Sequence, residues 1–290
     1  ASEGDAPRAA DAFRSVVTKE PAGSTLRDRA IEALVTLASK NKDAVACASE
    51  AERLTSSMQK ETPQVVTLTT GLGCAEGFSR KGAREKALLR ALVDRSLALV
   101  ADEAVTVLAD DRSSLYEALV PAVLEIQGAA ASRTVATRWA RFLEAQAAAA
   151  PTPAAKAVFD PHRVLAYIAM GEAARALPAL EASERAFPDD YNPPARKARV
   201  YFTLQQHARA DAAMDAALAK VYGPRELSLR LLQADILVAK GDTSKLAREL
   251  AAGLRRTENL PLTAGQRRDR EALAARLASL TDKAAKGAKP

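Results

Sequence analysis

The chain has 290 residues and a formal net charge of +6; 48% of its residues are hydrophobic, but only 4% are aromatic. A core made mostly of Ala, Leu and Val favours helices, and the scarcity of aromatic residues argues against a sugar or nucleobase cleft built on ring stacking. No apolar run approaches about 18 residues, so we expect no transmembrane segment. A basic stripe interleaved with aromatic residues is missing, so we expect no nucleic-acid partner.

The chain begins with the small and acidic sequence ASEGDAP. We expect residues 1–23 to form a disordered lead or a first short helix. A small-residue start is compatible with cleavage of a signal peptide. The predicted localisation is therefore periplasmic or secreted, in a bacterium with Ala- and Arg-rich proteins, and a cytoplasmic protein is the alternative.

Helical periodicity dominates residues 24–150, which we interpret as helical hairpins joined by short loops. A first helix is predicted to start with Ser24 or Thr25 as its N-cap, and the next helix with Asp43. One face of the first helix is predicted to consist of Leu26, Ala30, Ala33, Leu34 and Leu37.

Three further helical stretches follow in this half of the chain. Residues 79–111 predict two helices whose break the pattern does not locate. Residues 111–128 predict a helix capped by Ser113 or Ser114, with a kink or a later start at Pro121. Residues 131–150 predict a helix that ends at the Pro151–Pro153 break.

One segment conflicts with the helical pattern. The β-branched run 65–70 is followed by Gly71, Gly73 and Gly77, and a strand followed by a glycine-rich turn is how a dinucleotide-binding fold begins. The spacing is one residue off the common fingerprint, and no later strands alternate with helices. We therefore favour a helix ending in a flexible glycine loop, Gly71–Gly77. The alternative is an enzyme or redox accessory that uses this loop and the two cysteines.

The residues able to carry redox or metal chemistry are few. Cys47 and Cys74 form no CxxC motif. They would pair as a disulfide between neighbouring helices in an exported protein, or else serve as two small buried hydrophobic residues. His162 and His207 lie far apart and lack metal-type spacing, so we interpret both as exposed or capping residues. We expect no catalytic residues, no metal and no cofactor.

The second half of the chain repeats with a period of 34 residues: Tyr167 recurs as Tyr201 and Ala176 as Ala210. Such a period is typical of stacked helix pairs. Small residues allow the two helices of a pair to lie close together, large residues fill the gap between them, and a Pro ends the second helix.

This pattern resembles the tetratricopeptide repeat family, in a degenerate version without the family's Trp-Leu-Gly start. The resemblance covers roughly residues 154–257. The first copy matches at Tyr167, Gly171, Ala176, Leu180, Ser183 and Pro188. The second copy matches at Tyr201, Ala210, Met214 and Ala217, carries Gln205 at the glycine position and ends at Tyr222–Pro224. A looser third copy matches at Ala234, Leu237, Gly241, Leu250 and Gly253. A generic helical bundle with accidental spacing is the alternative.

The resemblance implies an all-α, right-handed superhelical solenoid of stacked antiparallel helix pairs. Residues 151–280 would hold the repeats and, from 262, a C-terminal capping helix. Residues 281–290 would form a disordered basic tail. From 255 to 290 the chain carries nine Lys/Arg against four Asp/Glu, while the remainder carries 33 against 32. Two interpretations of this basic end stay open: solvation, or a weak contact with an acidic surface.

The resemblance also implies a non-enzymatic scaffold that binds a peptide or partner protein on a concave surface lined by the first helices. The predicted partner-binding residues are Asn192, Arg199, Phe202, Thr203, Ser228 and Asp235, with Leu165, Ile168 and Val238 beside them. Arg199 would pair with a carboxylate and Asn192 with a peptide backbone. Alternatively, Phe202, Leu165 and Ile168 are ordinary core residues, and Arg199 is solvated or pairs with Asp235.

Overall fold

The structure is a computed structural model that describes residues 5–287, apart from 103 and 106. Throughout these residues the regular elements are α-helices and short 3₁₀ turns, which confirms the predicted all-α class. The chain divides into two compact units, Ala1–Gln146 with Ala169–Gly171, and Ala147–Ile168 with Glu172–Pro290.

The first unit contains six helices of the described chain and most of a seventh. They are α1 (Ala6–Lys19), α2 (Thr25–Lys40), α3 (Ala44–Thr55), α4 (Thr62–Cys74), α5 (Ala83–Ala101), α6 (Ala109–Gln127) and α7 (Ala129–Ala149). Within the predicted lead 1–23, the structure has the helix α1, while residues 1–4 lie outside the described residues.

The second unit continues the succession of short-turned helices. They are α8 (Pro153–Ala157), α9 (Asp160–Met170), α10 (Leu177–Ala186), α11 (Asn192–Thr203), α12 (His207–Leu218), α13 (Glu226–Lys240), α14 (Thr243–Arg256) and α15 (Ala264–Gly287). The helix α15 occupies the position predicted for the capping helix. It continues seven residues into the predicted tail, because Ala and Lys are good helix formers, and residues 288–290 lie outside the described residues.

The first-unit helices begin and end partly where the sequence predicts. Asp43 caps α3, since its carboxylate accepts a hydrogen bond from the Ala46 N–H at 2.9 Å. Ser24 occupies the N-cap position of α2, but its hydroxyl donates to Glu20 at 3.1 Å instead of serving the helix. The predicted apolar face of α2 is rotated, because Leu26 is 59% exposed and Ile31 is fully buried.

Two predictions around α5 and α6 are wrong. A single helix, α5, replaces the two expected over 79–111. The helix α6 begins at Ala109, where acidic side chains in its first turn favour a helix start. Ser113 and Ser114 therefore lie inside the helix. Ser113 is buried, and its hydroxyl accepts a hydrogen bond from the Trp139 Nε1–H at 2.7 Å. Pro121 also lies inside α6, not at its start.

The predicted glycine loop Gly71–Gly77 is also wrong at its beginning. Gly71 and Gly73 belong to α4, so the β-branched run is helical and the segment is no strand. A Cβ on Gly71 would lie 2.5 Å from the Cβ of Ala51 on α3. Glycine is required at this position because the α3 and α4 backbones approach closely, and not because the chain turns there.

The turns between paired helices repeat one backbone geometry. After the first helix of three pairs, a residue one or two positions beyond the helix end has a positive φ: Gly171 (+78°), Gln205 (+58°) and Gly241 (+77°). The following N–H donates to a carbonyl five residues earlier in each case, at 2.8, 2.9 and 3.0 Å. This is the Schellman arrangement, which satisfies carbonyls at the end of a helix. The predicted alignment of Gln205 with the glycine position is therefore matched by its backbone.

The first unit contains the same turn between α2 and α3. Lys42 has a φ of +59°, and the Asp43 N–H donates to the Ala38 carbonyl at 3.1 Å. Because a Lys takes the position that glycine usually has, a search for the repeat motif does not find this hairpin. The hairpin nevertheless has the turn geometry of the repeats.

The core of the second unit combines residues that carry the repeat with Ala198, which stands one period after Val164. Ala198, Ala210, Met214 and Ala217 are fully buried between α11 and α12, and Tyr201 is nearly so. Alanine at three of these positions allows the helices to pack closely. Leu273 of α15 is fully buried against α13 and α14, so this helix covers the last pair as predicted.

A network of charges lies among α12, α13 and α14. Arg230, only 2% exposed, pairs with Glu226 at 2.8 Å and also with Glu249. Asp211 accepts hydrogen bonds from Lys240 at 2.7 Å and from Lys245 at 2.6 Å. Burial raises the pKa of the Asp211 carboxyl, but the two ammonium groups outweigh that effect and hold it below its ordinary value.

The left-handed turn residue gives a first prediction. A side chain in this conformation costs about 1 kcal/mol relative to glycine, so we expect Gln205→Gly to stabilise the protein by about 0.5–1 kcal/mol. Gly171→Ala should destabilise it by a similar amount, since no heavy atom lies within 4 Å of the added Cβ and only backbone strain is introduced. Urea unfolding followed by circular dichroism measures both changes. An unchanged midpoint for both variants would contradict a left-handed backbone at Gly171 and Gln205.

The contact between α3 and α4 gives a second prediction. Gly71→Ala should destabilise the first unit by about 1–3 kcal/mol, because overpacking exceeds the gain in helix propensity. Adding Ala51→Gly should recover most of the loss by moving the methyl group to the other helix. Gly73→Ala is the matched control, and it should be neutral or stabilising because its Cβ meets no heavy atom within 4 Å. Additive effects of Gly71→Ala and Ala51→Gly in thermal unfolding would rule out this contact.

The ion pairs of Asp211 with Lys240 and Lys245 predict how stability depends on pH. Its folded-state pKa lies below the unfolded value of about 3.9, so the stabilisation is present above that value and is lost as the pH falls through the folded pKa. Asp211→Asn should lower the urea midpoint at pH 7 and flatten its decline below about pH 4. Asp11→Asn, at a carboxylate 78% exposed, should leave the profile unchanged. Equal slopes for the wild type and Asp211→Asn would refute the assignment.

Candidate partner-binding groove

A groove in the second unit lies along the first helices of three successive pairs, α9, α11 and α13. Its volume is about 320 Å³. Its apolar lining residues are Pro161, Val164, Leu165, Ala195, Leu229 and Leu232. Its polar lining residues are Tyr191, Asn192, Arg196, Arg199, Arg225 and Ser228. The groove therefore combines an apolar surface with three guanidinium groups.

The 34-residue period explains why these residues meet. Residues separated by one period occupy equivalent positions on successive helices, and stacking places those positions side by side. Pro161, Ala195 and Leu229 form one such series. Tyr191 and Arg225 form another, and the Arg225 Nη1–H donates to the Tyr191 hydroxyl at 3.1 Å across exactly that separation of 34 residues. The groove is thus a product of the repeat.

Three arginine side chains, Arg196, Arg199 and Arg225, line the groove. The hydrogen bond to Tyr191 is the main cause of the raised pKa of Arg225. Burial lowers the pKa of Arg196, an effect opposed by the more distant charges of Asp160 and Asp190. Among the described residues, no carboxylate lies within ion-pair distance of Arg196, Arg199 or Arg225. An anionic ligand would supply the direct ion pairs that these three side chains lack among the described residues.

Four of the predicted residues lie at the groove: Asn192, Arg199, Ser228 and Leu165. The Nδ2–H of Asn192 donates to Asp190 at 2.8 Å, and its backbone N–H donates to the same oxygen at 2.9 Å. One amide hydrogen of Asn192 is therefore already used within the protein, which leaves less of this side chain for a peptide backbone than its sequence position predicts.

The other predicted residues do not line the groove. Phe202 packs against the core between α11 and α12 and lies 5.9 Å, centroid to centroid, from the His207 ring. The Thr203 hydroxyl donates to the Arg199 carbonyl of its own helix at 3.0 Å. Asp235 pairs with Arg276 of α15 at 2.8 Å, and not with Arg199. Ile168 is half-buried and Val238 is 64% exposed, both away from the groove.

The architecture is similar to that of a solved helical-repeat structure, although the sequence itself has no match. No family model and no curated protein matches the sequence. A crystal structure of a tetratricopeptide repeat protein from Parabacteroides merdae matches with a TM-score of 0.52 at 12% identity, over 94% of each chain. The chain has a tetratricopeptide-like helical-repeat fold. At this level of identity the likeness shows the fold alone.

Two further solved structures are similar at lower scores. BtubC from P. vanneervenii has a TM-score of 0.42 at 13% identity, over 87% of this chain and 88% of its own. The apo form of the quorum sensor NprR from B. thuringiensis has a TM-score of 0.46 at 9% identity, over 94% of this chain and 81% of its own.

Two of the three groove arginines, Arg196 and Arg225, are absent from the predicted set. The tetratricopeptide-like period would have identified one of them, since Arg225 is one period after Tyr191 at the start of the next first helix. Arg196 follows from helix geometry, because it lies three residues before Arg199 and so on the same face of α11.

The two histidines lie at helix starts, and the described residues contain no cluster of metal-ligand type. His207 begins α12 and His162 lies in the first turn of α9. In the part of the chain that the structure describes, no three His, Cys, Asp or Glu side chains converge in a way that would hold a metal ion. Within the same residues, no helix combines the length and apolar character that crossing a bilayer requires.

Proposed function

We propose that the chain is a non-enzymatic interaction scaffold whose second unit binds an acidic segment of a partner protein in the groove. The observation that carries the proposal is the presence of three guanidinium groups, on Arg196, Arg199 and Arg225, without a carboxylate partner among the described residues. Arginine pairs with carboxylates through two parallel hydrogen bonds, and this geometry adds specificity as well as energy.

The apolar lining supports a peptide as the ligand. Leu165, Leu229 and Leu232 offer a surface for one or two nonpolar side chains beside the guanidinium groups. A volume of about 320 Å³ is at the lower end of the range for small-molecule pockets. Such a groove suits side chains of an extended segment better than a whole cofactor. The enzyme alternative based on residues 71–77 has no such support, because Gly71 and Gly73 lie inside α4.

An exported location, periplasmic or secreted, is part of the same proposal. Cys47 on α3 and Cys74 on α4 form a disulfide with an S–S distance of 2.08 Å. Disulfides persist in oxidising compartments and are rare in the cytosol of most organisms, which supports export over the cytoplasmic alternative. A contact of the basic C-terminal segment with an acidic surface stays a prediction.

Fluorescence anisotropy with two labelled ten-residue peptides tests the groove: one alternates Asp with Leu, and the other alternates Lys with Leu. We expect only the acidic peptide to bind, with an affinity that falls as salt is added. Reversing two charges, Arg196→Glu with Arg199→Glu, should weaken binding at least about tenfold, since a charge-assisted hydrogen bond contributes about 1.5–3 kcal/mol.

Arg185→Glu with Arg255→Glu is the matched control, because it reverses as many charges as the groove variant. Arg185 on α10 and Arg255 on α14 are exposed and lie outside the groove, so reversing both charges should change the dissociation constant less than about twofold. Circular dichroism establishes that the variants stay helical. Equal loss of binding in the groove variant and in this control would show that net charge alone attracts the peptide, and the proposed site would be wrong.

A further inference from the structure

The two cysteines of the Cys47–Cys74 disulfide differ in their exposure to solvent. Cys47 is fully buried in the first turns of α3. Cys74, the last residue of α4, is partly exposed and lines a surface cavity of about 550 Å³ together with Ser39, Lys42, Ala44, Thr70 and Gly73. Solvent therefore reaches the Cys74 end of the disulfide and not the Cys47 end.

The surroundings of Cys74 favour the approach of a thiolate. Gly73, its neighbour in α4, is exposed, and a Cβ built there would meet no heavy atom within 4 Å. Lys42 lines the same cavity with an exposed ammonium group. A nearby cation stabilises thiolates, so it attracts the reactive form of an incoming thiol.

We propose that this disulfide is a site of thiol–disulfide exchange, attacked at Cys74 by a dithiol protein reductant with Cys47 as the leaving group. A reductant thiolate forms a bond to the Cys74 Sγ, the bond between the two protein sulfurs breaks, and the Cys47 thiolate takes a proton from water. The second thiolate of the reductant then attacks the reductant's first sulfur, which is bonded to Cys74 in the mixed disulfide. The Cys74 thiolate is released and is also protonated. The reductant leaves as a disulfide, and the protein has gained two electrons and two protons.

The contacts between α3 and α4 allow this exchange to occur in the folded protein. Ala51 and Gly71 bring the two backbones together independently of the disulfide. The Gln64 Nε2–H of α4 donates to the Thr55 carbonyl of α3 at 2.7 Å, a buried hydrogen bond that reduction leaves intact. The exchange therefore requires no unfolding, and it does not depend on the groove of the second unit.

A dithiol reductant whose second cysteine is replaced by serine traps the mixed disulfide on the intact protein. Trypsin separates the two candidates, because Cys47 lies in the peptide 43–53 and Cys74 in the peptide 61–80. Mass spectrometry should find the reductant attached to Cys74 in at least about nine-tenths of the trapped product. Attachment to Cys47, or an even distribution between the two cysteines, would overturn the proposal.

The rate of reduction in wild-type protein supplies a second measurement that does not depend on any variant. The rate should change less than about twofold over urea concentrations below the unfolding transition, because attack occurs on the native state. A rate that rises with urea in step with global unfolding would overturn the proposal. Gly73→Leu, which fills the approach to Cys74, should slow reduction at least about fivefold, whereas Gly73→Ala should change it less than about twofold.

Discussion

Four helix pairs of the described chain fold back on themselves because one residue adopts a left-handed backbone conformation and the next N–H reaches a carbonyl five residues earlier. This turn has the same form at Lys42, Gly171, Gln205 and Gly241. It fixes where the second helix starts relative to the first, and the length of both helices then sets the period. Once the period is fixed, equivalent positions of successive first helices lie side by side, and the groove of the second unit is a row of such positions.

The charged side chains that the structure describes in the second unit form two groups, one paired within the protein and one not. Arg230, Asp211 and Lys245 are buried or half-buried, and each is held by partners of opposite sign. Charges taken out of water are stable only when they are paired in this way. The arginines of the groove, of which Arg196 is half-buried and Arg199 exposed, have no carboxylate at ion-pair distance among the described residues. An anionic ligand would give these guanidinium groups direct hydrogen bonds. The groove differs in this respect from the paired charges of α12, α13 and α14 in the same unit.

The sequence predicts the parts of this structure that depend on local rules. Gly171 and Gly241 mark their turns because glycine adopts positive φ readily, and Asp43 marks a helix start because its carboxylate can accept an N–H. The same rules fail at Lys42, where a turn of identical geometry holds a residue that rarely adopts it. They fail also at Gly71, where a glycine serves close packing between helices and the local pattern indicates a loop.

The candidate site is less predictable because it depends on which surfaces are covered. Asp235 lies on a first helix, as the predicted groove residues do, but α15 packs there and Arg276 takes its carboxylate. Phe202 is half-buried against the core for a similar reason. Neither outcome can be derived from the period alone, since both depend on contacts between elements far apart in sequence. Arg225 was accessible to prediction, because the period relates it to Tyr191.

The disulfide also has a consequence for the chain before it folds. Its cysteines are 27 residues apart, so the bond closes a ring that contains all of the turn between α3 and α4. Ring closure of this length removes about 3.5 kcal/mol of conformational entropy from the unfolded chain at 25 °C. In an oxidised chain, the segments that form α3 and α4 are therefore held close together before folding begins. The hairpin around Ala51 and Gly71 becomes a local contact, and local contacts form fastest.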